Sequence, residues 1–212
     1  MVTRREVVTS AAAVLALGVP KIGACSELYR DGDNTWWQRG FRDQIVAKLR
    51  FFFNQATGYF PLEEYHYDGS GTYPLIDQFL LGFLEAPRPV EALSDGRWLF
   101  SGSVARNSAE VSYVAMSADQ SRIDAAMMSY DLCPQGGVDY VDPEGGTHKV
   151  PCEADPGWVI FISRNQARDS ELIASLGDVA LTYRRGEQRR FIAQGVRASS
   201  DVHAKTVVVP VP

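Results

Sequence analysis

The sequence predicts a single α+β domain in which two helices precede an antiparallel sheet. Apolar residues recur at helical spacing up to Leu84, and short alternating or apolar runs follow from Arg97 onward. Helices followed by adjacent strands are typical of α+β domains. The 212 residues are 45% hydrophobic and 22% charged, so the chain has the composition of a globular domain with a packed core.

Two amphipathic segments predict the helices. Apolar residues recur about every four positions from Trp37 to Phe53, which predicts a helix over Thr35–Thr57. A second helix is predicted to begin at Pro74, because proline is favoured in the first turn, and to run to Leu84.

The remaining segments predict the sheet and a third helix. Arg97–Val104 and Glu110–Ala118 alternate on either side of a turn-like stretch, Ala105–Ala109, and predict a hairpin. Trp158–Ser163 is predicted to be a buried strand, followed by a helix over Gln166–Leu176. Further strands are predicted at Ile123–Tyr130 (where alanines and methionines also allow a helix), Val179–Tyr183, Phe191–Val196 and Thr206–Val211.

The N-terminus predicts export. Arg4 and Arg5 precede a short run of small and apolar residues from Thr9 to Val19, as in a bacterial signal peptide. The paired arginines resemble a twin-arginine signal, and the general secretory route is the alternative. We therefore predict a signal peptide over 1–25, a polar tether over 26–34 and one domain over 35–212.

The end of the predicted signal peptide can be processed in two ways, which differ in what happens to Cys25. The segment Ile22-Gly23-Ala24-Cys25 resembles a lipobox, which predicts a lipidated, membrane-anchored protein. Ordinary cleavage after Ala24 predicts a soluble periplasmic protein instead. Cysteine parity favours lipidation, because it leaves two cysteines in an oxidising compartment. The formal net charge of −5 disfavours nucleic acid and anionic membranes and favours a basic envelope partner. A lipid anchor at Cys25 is therefore the only membrane contact expected.

Those two cysteines, Cys133 and Cys152, flank a glycine-rich loop. We predict that they form a disulfide, which contributes about 3 kcal/mol by restricting the unfolded chain. A metal site made by both cysteines and His148 is the alternative, but structural zinc requires four ligands. No metal and no cofactor is therefore expected.

Catalytic motifs do not stand out in the sequence. It contains no Gly-x-Ser-x-Gly elbow, His-Glu-x-x-His pair or phosphate-binding loop. His66, Asp68 and Ser70 supply the residue types of a hydrolase triad, although all three fall within five residues of one loop. A binding protein is therefore favoured, and a periplasmic hydrolase that uses the His66–Ser70 loop is the alternative.

The stretch from Trp98 to Glu110 resembles the strand–loop–strand of the periplasmic inhibitors of vertebrate lysozyme. In that family a Ser-Gly strand end leads into a Cys-x-Pro-His-x-Cys loop, and an acidic residue follows. Here Ser103 and Ser108 occupy the two cysteine positions. Ala105 occupies the proline position and Arg106 the histidine position.

The resemblance continues downstream and covers roughly residues 97–176. Asp155-Pro156 before Trp158-Val159-Ile160-Phe161 looks like the family's turn into a buried strand, with a helix after it. The resemblance implies an inhibitor-like fold and a lysozyme-like protein or glycan as partner. It implies a binding loop made of Ser103, Val104, Ala105, Arg106, Asn107 and Ser108. The alternative is that Ala105–Ala109 is only a solvated turn.

Overall fold

The protein forms three layers: two helices, a sheet of seven strands and a third helix. The computed structural model describes residues 37, 39–58, 73–104, 107–130, 138–142, 144–150, 157–195, 204 and 206–211. The predicted signal peptide and tether lie outside these residues. The predicted α+β class is confirmed.

The elements follow one another in a simple order. The helices are α1 (Arg39–Phe53), α2 (Leu75–Leu84) and α3 (Ser170–Ala193). The strands are β1 (Thr57–Gly58), β2 (Tyr73–Pro74), β3 (Ala86–Pro87), β4 (Glu91–Ala92), β5 (Trp98–Val104), β6 (Asn107–Met116), β7 (Ile123–Tyr130), β8 (Val138–Val141), β9 (Thr147–Val150), β10 (Gly157–Ser163) and β11 (Thr206–Val211).

The larger sheet has the order β11-β10-β7-β6-β5-β3, and β4 also pairs with β5. Only β10 and β11 are parallel among the strand pairs that the structure describes. Helix α3 connects these two strands, as parallel neighbours require a crossover. A smaller sheet has the order β2-β1-β8-β9.

Both faces of the larger sheet are buried. On one face, the ring of Phe53 in α1 lies 5.4 Å from that of Phe79 in α2 and 5.1 Å from that of Phe161 in β10. On the other face, Leu172 and Leu176 of α3 join the core that contains Trp158. Every residue of β7 is buried for this reason. Its run of alanines and methionines therefore forms a strand, and the helical alternative for Ile123–Tyr130 is wrong.

Helix α3 is much longer than the sequence predicted. It spans 24 residues, so the strands predicted at Val179–Tyr183 and Phe191–Val196 are wrong as far as residue 195, where the description of this segment ends. The β-branched residues misled the prediction, but Leu172, Leu176 and Ala180 recur every four positions and are all buried. Burial of this helical stripe against the sheet outweighs the local strand propensity.

Helix α1 is shorter than predicted and ends at Phe53 rather than Thr57. Asn54 adopts a positive φ of 49°, a left-handed conformation that stops the helix. Thr57 then pairs with Pro74 and Val141 in the smaller sheet.

The loop between the two cysteines contains strands that the sequence did not reveal. β8 and β9 pair from Val138↔Val150 to Val141↔Thr147. The Asp142 carboxylate accepts a hydrogen bond from the Gly146 N–H at 2.6 Å and closes their turn. Turn chemistry, rather than an apolar pattern, specifies this hairpin.

Candidate functional site

The predicted binding loop lies at one end of the larger sheet, where β5 turns into β6. The two strands pair from Trp98↔Met116 to Val104↔Asn107. Only two residues, Ala105 and Arg106, therefore connect the last paired positions. These two residues are outside the described part of the chain, as are the side chains of Asn107 and Ser108.

The first two residues of the predicted loop do not form a surface. Ser103 is 6% exposed and Val104 is 1% exposed. Strand β5 lies between β6 and β3, and helix α2 covers one of its faces, so these side chains belong to the interior. Ser103 and Val104 therefore offer no contact surface to a partner.

Close packing fixes the base of the hairpin. Gly102 lies against helix α2 so tightly that a Cβ atom there would come within 1.9 Å of the Phe83 carbonyl oxygen. The Ser129 hydroxyl of β7 accepts a hydrogen bond from the Val111 N–H at 2.9 Å. A register shift in the pairing of β5 and β6 falls between Ser103 and Val104. The hairpin is therefore held by strand pairing, by helix α2 and by a side-chain hydrogen bond.

A buried carboxylate lies beneath this hairpin. Glu110, the acidic residue that follows the loop, is 1% exposed. It lies on the same face of β6 as Val114, and the antiparallel pairing Ser112↔Met128 brings it level with Tyr130. The sequence could locate this acid through the family resemblance. Its burial could not be predicted, because alternation alone suggests a solvated face.

The other predicted site residues lie mostly outside the described residues. This holds for Cys25, Cys133, Cys152 and the His66–Ser70 loop. His148 lies in β9, where only its backbone is described. The described residues therefore test neither the predicted disulfide nor the alternative metal site. Within the described residues, no group of His, Cys, Asp and Glu side chains could hold a metal ion.

A second polar cluster, the Arg97 cluster, was not predicted. It lies at the opposite end of the sheet and consists of Arg97, Asp95, Asp124, Asp169 and Arg122. The Arg97 guanidinium donates to Asp124 at 2.8 Å, to Asp169 at 2.7 Å and to Asp95. The second Asp124 oxygen accepts from Arg122 at 2.6 Å.

The electrostatics of the Arg97 cluster indicate mutual stabilisation. Burial lowers the pKa of Arg97, but the hydrogen bonds to Asp124, Asp169 and Asp95 outweigh it and raise the pKa above its usual value. The backbone N–H of Leu172 holds the Asp169 pKa low, and Arg97 contributes to the same shift. Asp169 is also the N-cap of α3. The cluster lines a cavity of about 340 Å³, yet its central charges are already paired, so it joins three segments of the fold.

A third polar feature is a groove of about 280 Å³ beside helix α3. The Arg88 guanidinium lies 4.9 Å from the centre of the Tyr183 ring and donates to its hydroxyl at 3.3 Å. The Tyr183 ring packs edge-on against Trp158. Burial raises the pKa of the Tyr183 hydroxyl, so this phenol stays protonated at neutral pH and can donate a hydrogen bond.

No family model, curated protein or solved structure matches the chain. No helix in the described part of the chain is long and apolar enough to cross a membrane.

Proposed function

We propose that this protein is an exported binding protein that presents the tip of the β5–β6 hairpin to a partner. The observation that carries the proposal is the pairing of Val104 with Asn107, which leaves only Ala105 and Arg106 between the strands. We infer that an arginine in so short a connection contacts the partner directly.

The base of the hairpin supports this role. In the lysozyme inhibitors a disulfide braces the loop, whereas Ser103 and Ser108 replace its cysteines here. Here the contact of Gly102 with the Phe83 carbonyl and the Ser129–Val111 hydrogen bond hold the strands together instead of a disulfide. A short connection on a fixed base loses little conformational freedom when it binds, which lowers the entropic cost of association.

The chemistry of Arg106 suits an acidic cleft. A guanidinium can donate two parallel hydrogen bonds to a carboxylate, and such a pair strengthens where water is excluded. A lysozyme-like protein offers an acidic cleft on a basic surface, and the net charge of −5 would steer a basic protein toward the domain.

Export is part of the same proposal and derives from the N-terminal sequence. Arg4 and Arg5 would direct the chain out of the cytoplasm, and lipidation of Cys25 would anchor it in the envelope. A Cys25→Ser variant that remains on membranes after a high-salt wash as fully as the unaltered protein would contradict the anchor.

The binding role is tested by titrating the purified protein against lysozymes of several classes at low salt. We expect inhibition that Arg106→Ala weakens by about 2–5 kcal/mol, because removing one partner leaves a desolvated charge unpaired. Arg164→Ala is the matched control, since its side chain is 54% exposed and pairs with Glu144 away from the hairpin.

The control variant should inhibit as well as the unaltered protein. No inhibition by the unaltered protein at micromolar concentration would reject lysozyme as the target. Equal inhibition by the Arg106→Ala variant would reject the hairpin tip as the contact.

A further inference from the structure

Helix α3 changes the sign of its charge along its length. Its second half holds four arginines within seven residues, Arg184, Arg185, Arg189 and Arg190, with Glu187 as the one acid among them. The exposed acids Glu171 and Asp178 lie in the first half. The acidic chain was expected to avoid anionic membranes, yet it concentrates positive charge on half of one helix.

The outer face of that half-helix combines charge with exposed apolar surface. Leu172, Leu176 and Ala180 bury the inner face against the sheet. Arg185, Arg189 and Ile192 recur at intervals of four and three residues, which places them together on the opposite face. Ile192 is 56% exposed. We call Arg185, Arg189 and Ile192 the basic stripe.

The arginines of the basic stripe are available for an external anion. Arg190, beside the stripe, pairs with the buried Glu187 at 3.1 Å. By contrast, Arg189 donates to the Arg185 backbone carbonyl at 3.3 Å. No carboxylate in the described residues pairs with Arg185 or Arg189. Both side chains are exposed.

We propose that the basic stripe docks the protein onto an anionic phospholipid surface. Guanidinium groups attract lipid phosphates, and the apolar side chain of Ile192 can enter the boundary between headgroups and acyl chains. Nucleic acid would be attracted by the arginines but would leave the Ile192 side chain in water.

The proposal concerns the C-terminal half of α3 alone. The exposed Asp178 lies seven residues before Arg185 and therefore on the same face, so an anionic bilayer would meet the end of the helix and not its whole length. The charge and exposure of α3 carry this proposal, so docking does not depend on the proposed binding function.

The test is co-sedimentation with vesicles of phosphatidylcholine alone or with one third phosphatidylglycerol. The protein carries Cys25→Ser, so that no lipid on that residue contributes. We expect binding only to the anionic vesicles and loss of binding as salt rises. The double variant Arg185→Gln, Arg189→Gln should weaken binding roughly 30-fold, since each basic residue near the surface contributes a factor of roughly 5.

The apolar part of the basic stripe is tested by Ile192→Ser, which should weaken binding at constant charge. A matched control removes Arg42, Arg50 and the 89% exposed Phe51 from helix α1, on the other side of the sheet. We expect Arg42→Gln, Arg50→Gln, Phe51→Ser to bind anionic vesicles normally.

Three results would overturn the proposal: equal binding to both kinds of vesicle, no binding to either at low salt, or loss of binding in the α1 variant with normal binding in the α3 variant. Because the changed side chains are exposed, an unaltered melting temperature verifies that each variant is folded.

Discussion

Removing the Asp124 carboxylate should destabilise the protein strongly, although it lies far from the proposed binding tip. Asp124 is 1% exposed and bonds to both Arg97 and Arg122. In Asp124→Ala, the Arg97 guanidinium, which is 15% exposed, loses one of its three carboxylate partners. Arg122 is 60% exposed, so water replaces its lost partner at little cost.

The lost Arg97–Asp124 ion pair therefore determines how much the free energy of unfolding falls in Asp124→Ala. Breaking a buried ion pair costs about 3–5 kcal/mol because a desolvated charge is left behind. Because Asp95 and Asp169 still pair with Arg97, we expect a loss of stability at the lower end of this range, about 3 kcal/mol. In a domain of this size, that corresponds to a fall of about 6–12 °C in melting temperature.

The measurement is urea unfolding followed by circular dichroism, with Arg164→Ala as the control. The pair of Arg164 with Glu144 has the same 2.8 Å separation as the Arg97–Asp124 pair, but both its side chains are more than half exposed. We expect the control to lose less than about 1 kcal/mol. Equal losses in the two variants would refute the conclusion that burial determines the energy of these pairs.

Three further predictions test other features. The protein should lose stability as pH falls from about 4 toward 2, because hydrogen bonds from Ser117 and Ser121 lower the pKa of Asp119 to about 2 in the folded state, below its unfolded value. Urea titrations should show a shallower acid dependence of stability in Asp119→Asn. Gly102→Ala should lower the free energy of unfolding by at least about 1–3 kcal/mol, because its Cβ overlaps a backbone oxygen of α2. Gly186→Ala, which has open space around it, should be neutral or stabilising, and thermal melts of both variants check this. Mass spectrometry of the non-reduced protein should recover Cys133 and Cys152 as one linked peptide, and recovery of two free thiols would contradict the disulfide.

Much of the sheet could be predicted from the sequence because its strands are continuous apolar or alternating runs. Thr206–Val211 was predicted with its observed bounds, and Trp158–Ser163 differs by one residue. The second half of α3 could not be predicted, because Val179–Tyr183 has strand propensity when considered alone. Its helical periodicity becomes visible only over the whole 24-residue segment.

The proposed hairpin site could be located from the sequence, but its burial could not. Alternation between Arg97 and Ala118 predicted two paired strands, and the structure contains them. It did not reveal that helices cover both faces, which buries Ser103, Val104 and Glu110. The Arg97 cluster escaped prediction for a different reason: Arg97, Asp124 and Asp169 are far apart in sequence, and only the fold brings them together.

The parallel strand β11 affects how readily the chain aggregates before folding is complete. β10 reads Trp-Val-Ile-Phe-Ile and is buried on both faces, but its edge stays open until α3 and β11 have been synthesised. An uncharged, β-branched edge of this kind is a template for intermolecular pairing and aggregation. β11 closes that edge and itself carries Pro210, which lacks an N–H and cannot donate to a further strand. The terminal strand of the described sheet thus protects a nascent apolar edge and discourages pairing beyond itself.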